Sequence, residues 1–195
     1  AGRKIGVCMA QSVGAANLAS GLQEPRLGRA PVLAVTGRAA LLTEGRHAYQ
    51  EVPHAPLFGA VCKSTAPVTT LEQLPFLLRQ SFREATSGKP GPVHLDLLGI
   101  SGQEIEAAET DATPLVETSY ARIPAHRQTP DPSLVREAAA LLCRAKRPVI
   151  VAGGGVAASD AGPEVAAVAE RLAIPVATSL NGKASLPEIH PHNLG

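Results

Sequence analysis

The chain has 195 residues, 45% of them hydrophobic and 18% charged, with a formal net charge of +1. Its Lys, Arg, Asp and Glu residues are interspersed, which excludes an electrostatic footprint for nucleic acid or for an anionic membrane surface. No apolar run approaches the roughly 18 residues of a membrane span, and Ala1-Gly2-Arg3-Lys4 does not lead into a signal-peptide core. Aromatics make up only 3%, so Ala, Val and Leu must fill the interior. Cys8, Cys62 and Cys143 stand far apart in apolar settings, with no CxxC or HxxxH spacing. They are expected to be buried free thiols in a reducing cytosol, with no metal site.

Short apolar runs alternate with amphipathic segments, the pattern of a parallel α/β architecture. The predicted strands are Ile5–Ala10, Pro31–Thr36, Val61–Ala66, Pro92–Leu97, Pro148–Ala152 and Pro175–Thr178; proline is tolerated at a strand's first residue. Thr69-x-x-Glu72 predicts a capping box, followed by a helix with Leu71, Leu74, Leu78, Phe82 and Ala85 inward and Gly88 at its end. Asp131 and Pro132 start another helix with the stripe Leu134, Ala138, Leu141, Leu142 and Ala145. A third spans about 162–173, with Val165, Val168, Ala169 and Leu172 inward. Between Ile105 and Asp131 the periodicity fails amid Pro114, Pro124 and Pro130, so 107–130 is expected to be a linker between units at 1–106 and 131–195. The ends at Ala1 and Gly195 read as cuts through a longer polypeptide.

Three clusters carry chemical interest. Gly153-Gly154-Gly155, with Ala158, forms a GxGxxA pattern after the strand Pro148–Ala152, where glycines let a backbone approach a phosphate. A dinucleotide site also wants an acid about 20 residues on, and Thr178-Ser179-Leu180-Asn181 offers none. A tight turn without ligand and a nucleotide bound in another geometry remain open. Tyr49-Gln50-Glu51 lies in a polar loop after a parallel strand, where α/β proteins place ligands; a solvated loop is the plainer alternative. Gln11 to Asn17 puts small residues at a helix start, which allows close backbone approach to a ligand or subunit; a simple helix start capped by Ser12 is the plainer alternative. His94 and Asp96 alternate on one strand and share a face; neither is assigned a catalytic role.

In order, these pieces are Gly6-Val7-Cys8, Val13 to Leu18, Pro31 to Gly37, Tyr49-Gln50-Glu51, Lys63, Gly88 to Val93, Ala145 to Pro148, Gly153 to Val156, Ile174 to Thr178 and Gly182-Lys183. The series resembles the thiamine-diphosphate-dependent enzymes of the acetolactate synthase and pyruvate decarboxylase type, across nearly the whole chain. The resemblance implies two parallel-sheet α/β units: the later part of a pyrimidine-binding domain and the first part of a Rossmann-like central domain. It also implies thiamine diphosphate and Mg²⁺ as cofactors, a 2-oxo acid substrate, a homodimer or homotetramer, and a cytoplasmic lyase or transferase.

By the same resemblance, Gly14, Asn17, Tyr49, Gln50, Glu51 and Lys89 are the expected cofactor-side residues, with Gly153, Gly154 and Gly155 available for FAD or ADP. No catalytic residue falls within the chain, since the family's essential glutamate and its metal-diphosphate site match no segment of it. Departures are visible. The Gly14–Asn17 loop lacks a glycine and a proline of the family pattern. Lys89 stands where synthases use an arginine toward FAD, and Gly99 where they carry a lysine. These favour a carboligase or decarboxylase relative over a true acetolactate synthase. The alternatives are a nucleotide-binding oxidoreductase built on Gly153–Gly155 and a non-catalytic dimerisation module.

Overall fold

The computed structural model describes residues 3–99, 109 and 111–195. The expected boundary at 106/107 lies outside the described residues. The chain divides into two compact units, Ala1–His126 and Arg127–Gly195. No helix among the described residues is long and apolar enough to cross a membrane.

The first unit is built on β1 (Gly6–Gln11), β2 (Val32–Gly37), β3 (Thr65–Val68) and β4 (Pro92–Leu97), with helices α1 (Gly14–Gly21), α2 (Gln23–Gly28), α3 (His54–Gly59) and α4 (Leu74–Thr86). The strands form one parallel sheet in the order β1-β2-β4-β3. One face carries Ala34 against Ala15 and Ala19 of α1 and Phe58 of α3. The other carries Leu33, Val93 and Leu95 against Leu74, Leu78, Phe82 and Ala85 of α4. The interior strand β4 is therefore covered on both faces, as parallel sheets require. The outer strand β1 leaves Val7 and Met9 exposed, at 61% and 74%, because α4 lies over β4, β2 and β3.

The strand expected at 61–66 forms at Thr65–Val68 instead. Val61 and Cys62 still belong to the turn closing α3, their N–H groups bonding the Phe58 carbonyl; their apolar character serves the cluster around Phe58. The capping box shifts by one residue, to Thr70 and Gln73, ahead of α4. Part of the expected linker is docked on this unit. Ile123 N–H donates to the Arg3 carbonyl at 2.8 Å, and Glu117 pairs with Arg79 and Arg83 of α4 at 3.1 and 2.5 Å.

The second unit contains α5 (Pro132–Arg144), β5 (Ile150–Ala152), α6 (Gly154–Ser159), α7 (Gly162–Leu172) and β6 (Val176–Thr178). β5 and β6 pair in parallel. Ala152, Ala169, Val176 and Leu186 form its core. α5 starts as expected, the Asp131 carboxylate accepting from Ser133 N–H at 2.7 Å. Its stripe is not inward: Leu134 and Leu141 are exposed, and the helix buries no residue. The stripe has no facing layer among the described residues, and Val149 just before β5 and Val151 on it are exposed too. Cys143, on the same helix, is exposed rather than buried; Cys62 is buried, Cys8 partly so, and all three are free thiols. Val168 and Leu172, expected inward on α7, are 40% and 37% exposed, while Ala169 is fully buried.

Candidate functional site

All four strands of the first sheet run the same way, so their C-terminal ends gather the loops at one edge, where open α/β sheets bind ligands. A cleft of about 830 Å³ opens there. Arg38 and Ala39 follow β2, Glu44 to Val52 form the loop beyond, His54 opens α3, Thr65 starts β3 and Asp96 comes from the end of β4.

Beneath the cleft lies a buried polar cluster on the α3 side of the sheet. The register sets Thr36 beside Asp96 and Ala34 beside His94, and period-two alternation turns Thr36, His94 and Asp96 to one face. Thr36 Oγ1 donates to Asp96 Oδ1 at 2.7 Å and lies 2.7 Å from His94 Nε2. His54 Nδ1 is 2.9 Å from Asp96 Oδ1, and His54 Nε2 is 3.2 Å from the Ser12 carbonyl oxygen. Arg38 Nε stands 3.6 Å from Asp96 Oδ2, and its Nη1 donates to Glu44 at 2.8 Å. Burial pushes the His94 imidazole down to about 4. A neutral ring that donates through Nε2 leaves Nδ1 as a lone pair, and that atom is buried without a partner among the described residues. Thr65 Oγ1 is likewise buried and has no partner among the described residues, and Thr65 lines the cleft.

Of the residues expected on the cofactor side, the structure brings Gln50 and Glu51 to the cleft. Glu51 is a brace as well as a wall. Its carboxylate accepts from Gly45 N–H at 2.5 Å and Ala48 N–H at 3.0 Å, and these bonds, Gly45 first, hold its carboxyl below the usual range. Gln50 takes a left-handed conformation at φ 60° and donates to Tyr49 Oη at 3.2 Å. Tyr49 is 81% exposed and is not in the cleft wall. Gly14 begins α1, Asn17 is an exposed residue one turn along it, and Lys89 is exposed after α4; none of the three lines the cleft.

Gly153 caps α6, a helix of six residues. A Cβ on Gly154 would sit 3.1 Å from the Asn181 Cβ, and one on Gly182 would overlap the Ala152 carbonyl oxygen. These two glycines are therefore explained by packing of the Leu180–Gly182 turn against the end of β5. Only Gly155 of the triplet has open space around it.

Sequence reasoning missed Thr36, Arg38, His54, Thr65, His94 and Asp96 as a group. The available signal was His94-x-Asp96 near the C-terminal end of a parallel strand. Lys63, one of the residues that carry the family resemblance, serves the fold. Its ammonium donates to the carbonyls of Glu84 and Ser87, the latter at 3.0 Å, at the C-terminal end of α4.

Residues 135–195 match the family model for the thiamine pyrophosphate enzyme central domain. Nearly the whole chain is similar to acetolactate synthases. It is 36% identical to a probable acetolactate synthase large subunit of Methanocaldococcus jannaschii over 97% of this chain and 32% of that protein. It is 34% identical to an acetolactate synthase of Arthrospira platensis over 98% of this chain and 33% of that protein. The large subunit from Corynebacterium glutamicum is 33% identical over 98% of this chain and 30% of its own length. The chain thus spans about a third of the length of the curated relatives it matches.

Proposed function

We propose, from the match of residues 135–195 to the thiamine pyrophosphate enzyme central domain and the similarity of nearly the whole chain to acetolactate synthases, that the chain is the pyrimidine-side and central-domain portion of a thiamine-diphosphate-dependent carboligase or decarboxylase acting on a 2-oxo acid. The observation that carries this reading is the cleft at the C-terminal strand ends. It holds Gln50 and Glu51 and one buried hydroxyl, Thr65 Oγ1, with no partner among the described residues. Its walls include Ala39, Val52, Pro53, Pro56 and Pro67, an apolar lining with a few polar groups that suits a flat heterocycle.

When bound, thiamine diphosphate supplies the electron sink for decarboxylation. The part of this chain is to seat the pyrimidine. The Gln50 amide offers donors and an acceptor at the cleft, Glu51 holds the 45–48 turn in shape, and the proline-rich wall excludes water. The essential glutamate and the Mg²⁺-diphosphate site belong, in this reading, to polypeptide outside the chain. The assembly is a homodimer or homotetramer in the cytoplasm. Of the glycine triplet, Gly155, with open space around it, is the position available to FAD or ADP.

The test is a calorimetric titration of thiamine diphosphate with Mg²⁺ into the complete polypeptide that carries this segment. Saturable, metal-dependent binding is expected. A folded protein that binds neither would overturn the proposal, and NADH binding in its place would support an oxidoreductase.

A further inference from the structure

We infer that His54 carries a proton on each ring nitrogen and, as an imidazolium, is a positioning residue that ties the Ser12 turn to the strand ends beneath the cleft. The positioning role rests on the cofactor-side reading of that cleft; the protonation state does not.

Donors and acceptors around the ring decide its protonation. His54 Nε2 faces the Ser12 carbonyl oxygen at 3.2 Å, which only accepts. His54 Nδ1 faces Asp96 Oδ1 at 2.9 Å and Thr36 Oγ1 at 3.2 Å. The Thr36 hydroxyl has one hydrogen, and it points to Asp96 Oδ1, so Thr36 can only accept from His54. Asp96 Oδ1 already accepts the Thr36 hydroxyl hydrogen, and Arg38 Nε stands 3.6 Å from its other oxygen. Every neighbour of both ring nitrogens is therefore an acceptor, and a neutral tautomer would leave one nitrogen lone pair against another. The His54 side chain is fully buried, and that of Asp96 is 5% exposed, so the charges sit as a close pair away from water. The other groups around the ring are Phe58, with centroids 6.1 Å apart, and His94, at 6.4 Å. Glu44 faces Arg38 rather than His54, and the Glu51 carboxylate is held by the Gly45 and Ala48 N–H groups.

Ser12 is an unusual anchor. It is buried at 4% exposure and left-handed at φ 45°, a conformation few non-glycine residues adopt without outside support. Its N–H donates to Gly37 and its carbonyl accepts from Ala15. The bond from His54 adds an ionic donor to that carbonyl. It links the turn that opens α1, and so Gly14 and Asn17, to β2 and β4 through Asp96. The sequence carries no motif for this link, because its members come from positions 12, 36, 54 and 96.

The first measurement is the ¹⁵N shift of both His54 ring nitrogens in the full chain at neutral pH. Two protonated-type resonances are expected, and a neutral tautomer would overturn the assignment. It needs no variant, so a substitution that fails to fold does not block it. The second is thiamine diphosphate affinity, with Mg²⁺, of the complete polypeptide and of His54→Gln, each checked for fold by circular dichroism. Affinity about tenfold weaker is expected in the variant, and unchanged affinity would overturn the positioning role. A wild type that fails to bind thiamine diphosphate would overturn the proposed function and the positioning role together, while the ring resonances still decide the protonation state.

Discussion

Phe58 and His94 lie face to face, their ring centroids 3.7 Å apart and their planes within 10° of parallel. The stack places an imidazole where water cannot solvate its charged form, and burial lowers its pKa from 6.5 to about 4. The unfolded chain therefore binds the proton more readily than the folded one between those values. Stability is expected to fall as pH drops from about 6.5 toward about 4, by on the order of 3 kcal/mol. Urea unfolding across that range measures it. His94→Leu should flatten the slope, and a variant with the wild-type slope would assign the acid sensitivity elsewhere.

Lys63 reaches across the sheet-to-helix junction, its stem passing 3.3 Å from where a Cβ on Gly91 would stand. Its ammonium meets the carbonyl end of α4, where a cation is favoured by the helix dipole. Lys63→Met keeps the stem and removes the charge. A loss of about 1–2 kcal/mol is expected, with the α4 C-terminal amides exchanging faster. Equal stability by denaturant melt would show the contact to be idle.

Glu51 offers two carboxylate oxygens to two backbone N–H groups. Glu51→Gln retains one acceptor and turns the other into a donor. Exchange of the Gly45 and Ala48 amides is expected to rise about tenfold, while α4 amides stay as they were. Unchanged exchange at both positions would remove Glu51 from its bracing role.

Gly182 and Gly155 make a matched pair of substitutions. Gly182→Ala drives a methyl into the Ala152 carbonyl oxygen and is expected to cost about 2–4 kcal/mol. Gly155→Ala enters open space within a helix and should stabilise by about 0.5–1 kcal/mol. Similar melting temperatures for the two variants would contradict the packing account of the glycine-rich turn.

The strands were legible because each is a short apolar run, and β4 matched its predicted bounds, Pro92–Leu97. Val61 and Cys62 misled because burial against Phe58 makes a helix end look like a strand. The stripe on α5 misled differently: Leu134 and Leu141 recur at helical spacing, but periodicity says which face is apolar, not what covers it. At the cleft, Gln50 and Glu51 stood out as neighbours in sequence. Ser12, Thr36, His54 and Asp96 did not, because only the register of β2 against β4 and the placement of α3 bring them together.

Met9 is the single methionine of the chain, and it stands 74% exposed on the outer strand beside Val7. A ¹³C-methyl methionine label therefore yields one resonance, with no assignment needed. Its shift and linewidth report directly on whether anything settles over the outer strand. Peroxide oxidation of the same thioether gives a mass shift of one oxygen and reads the same face without a spectrometer tuned to nuclei.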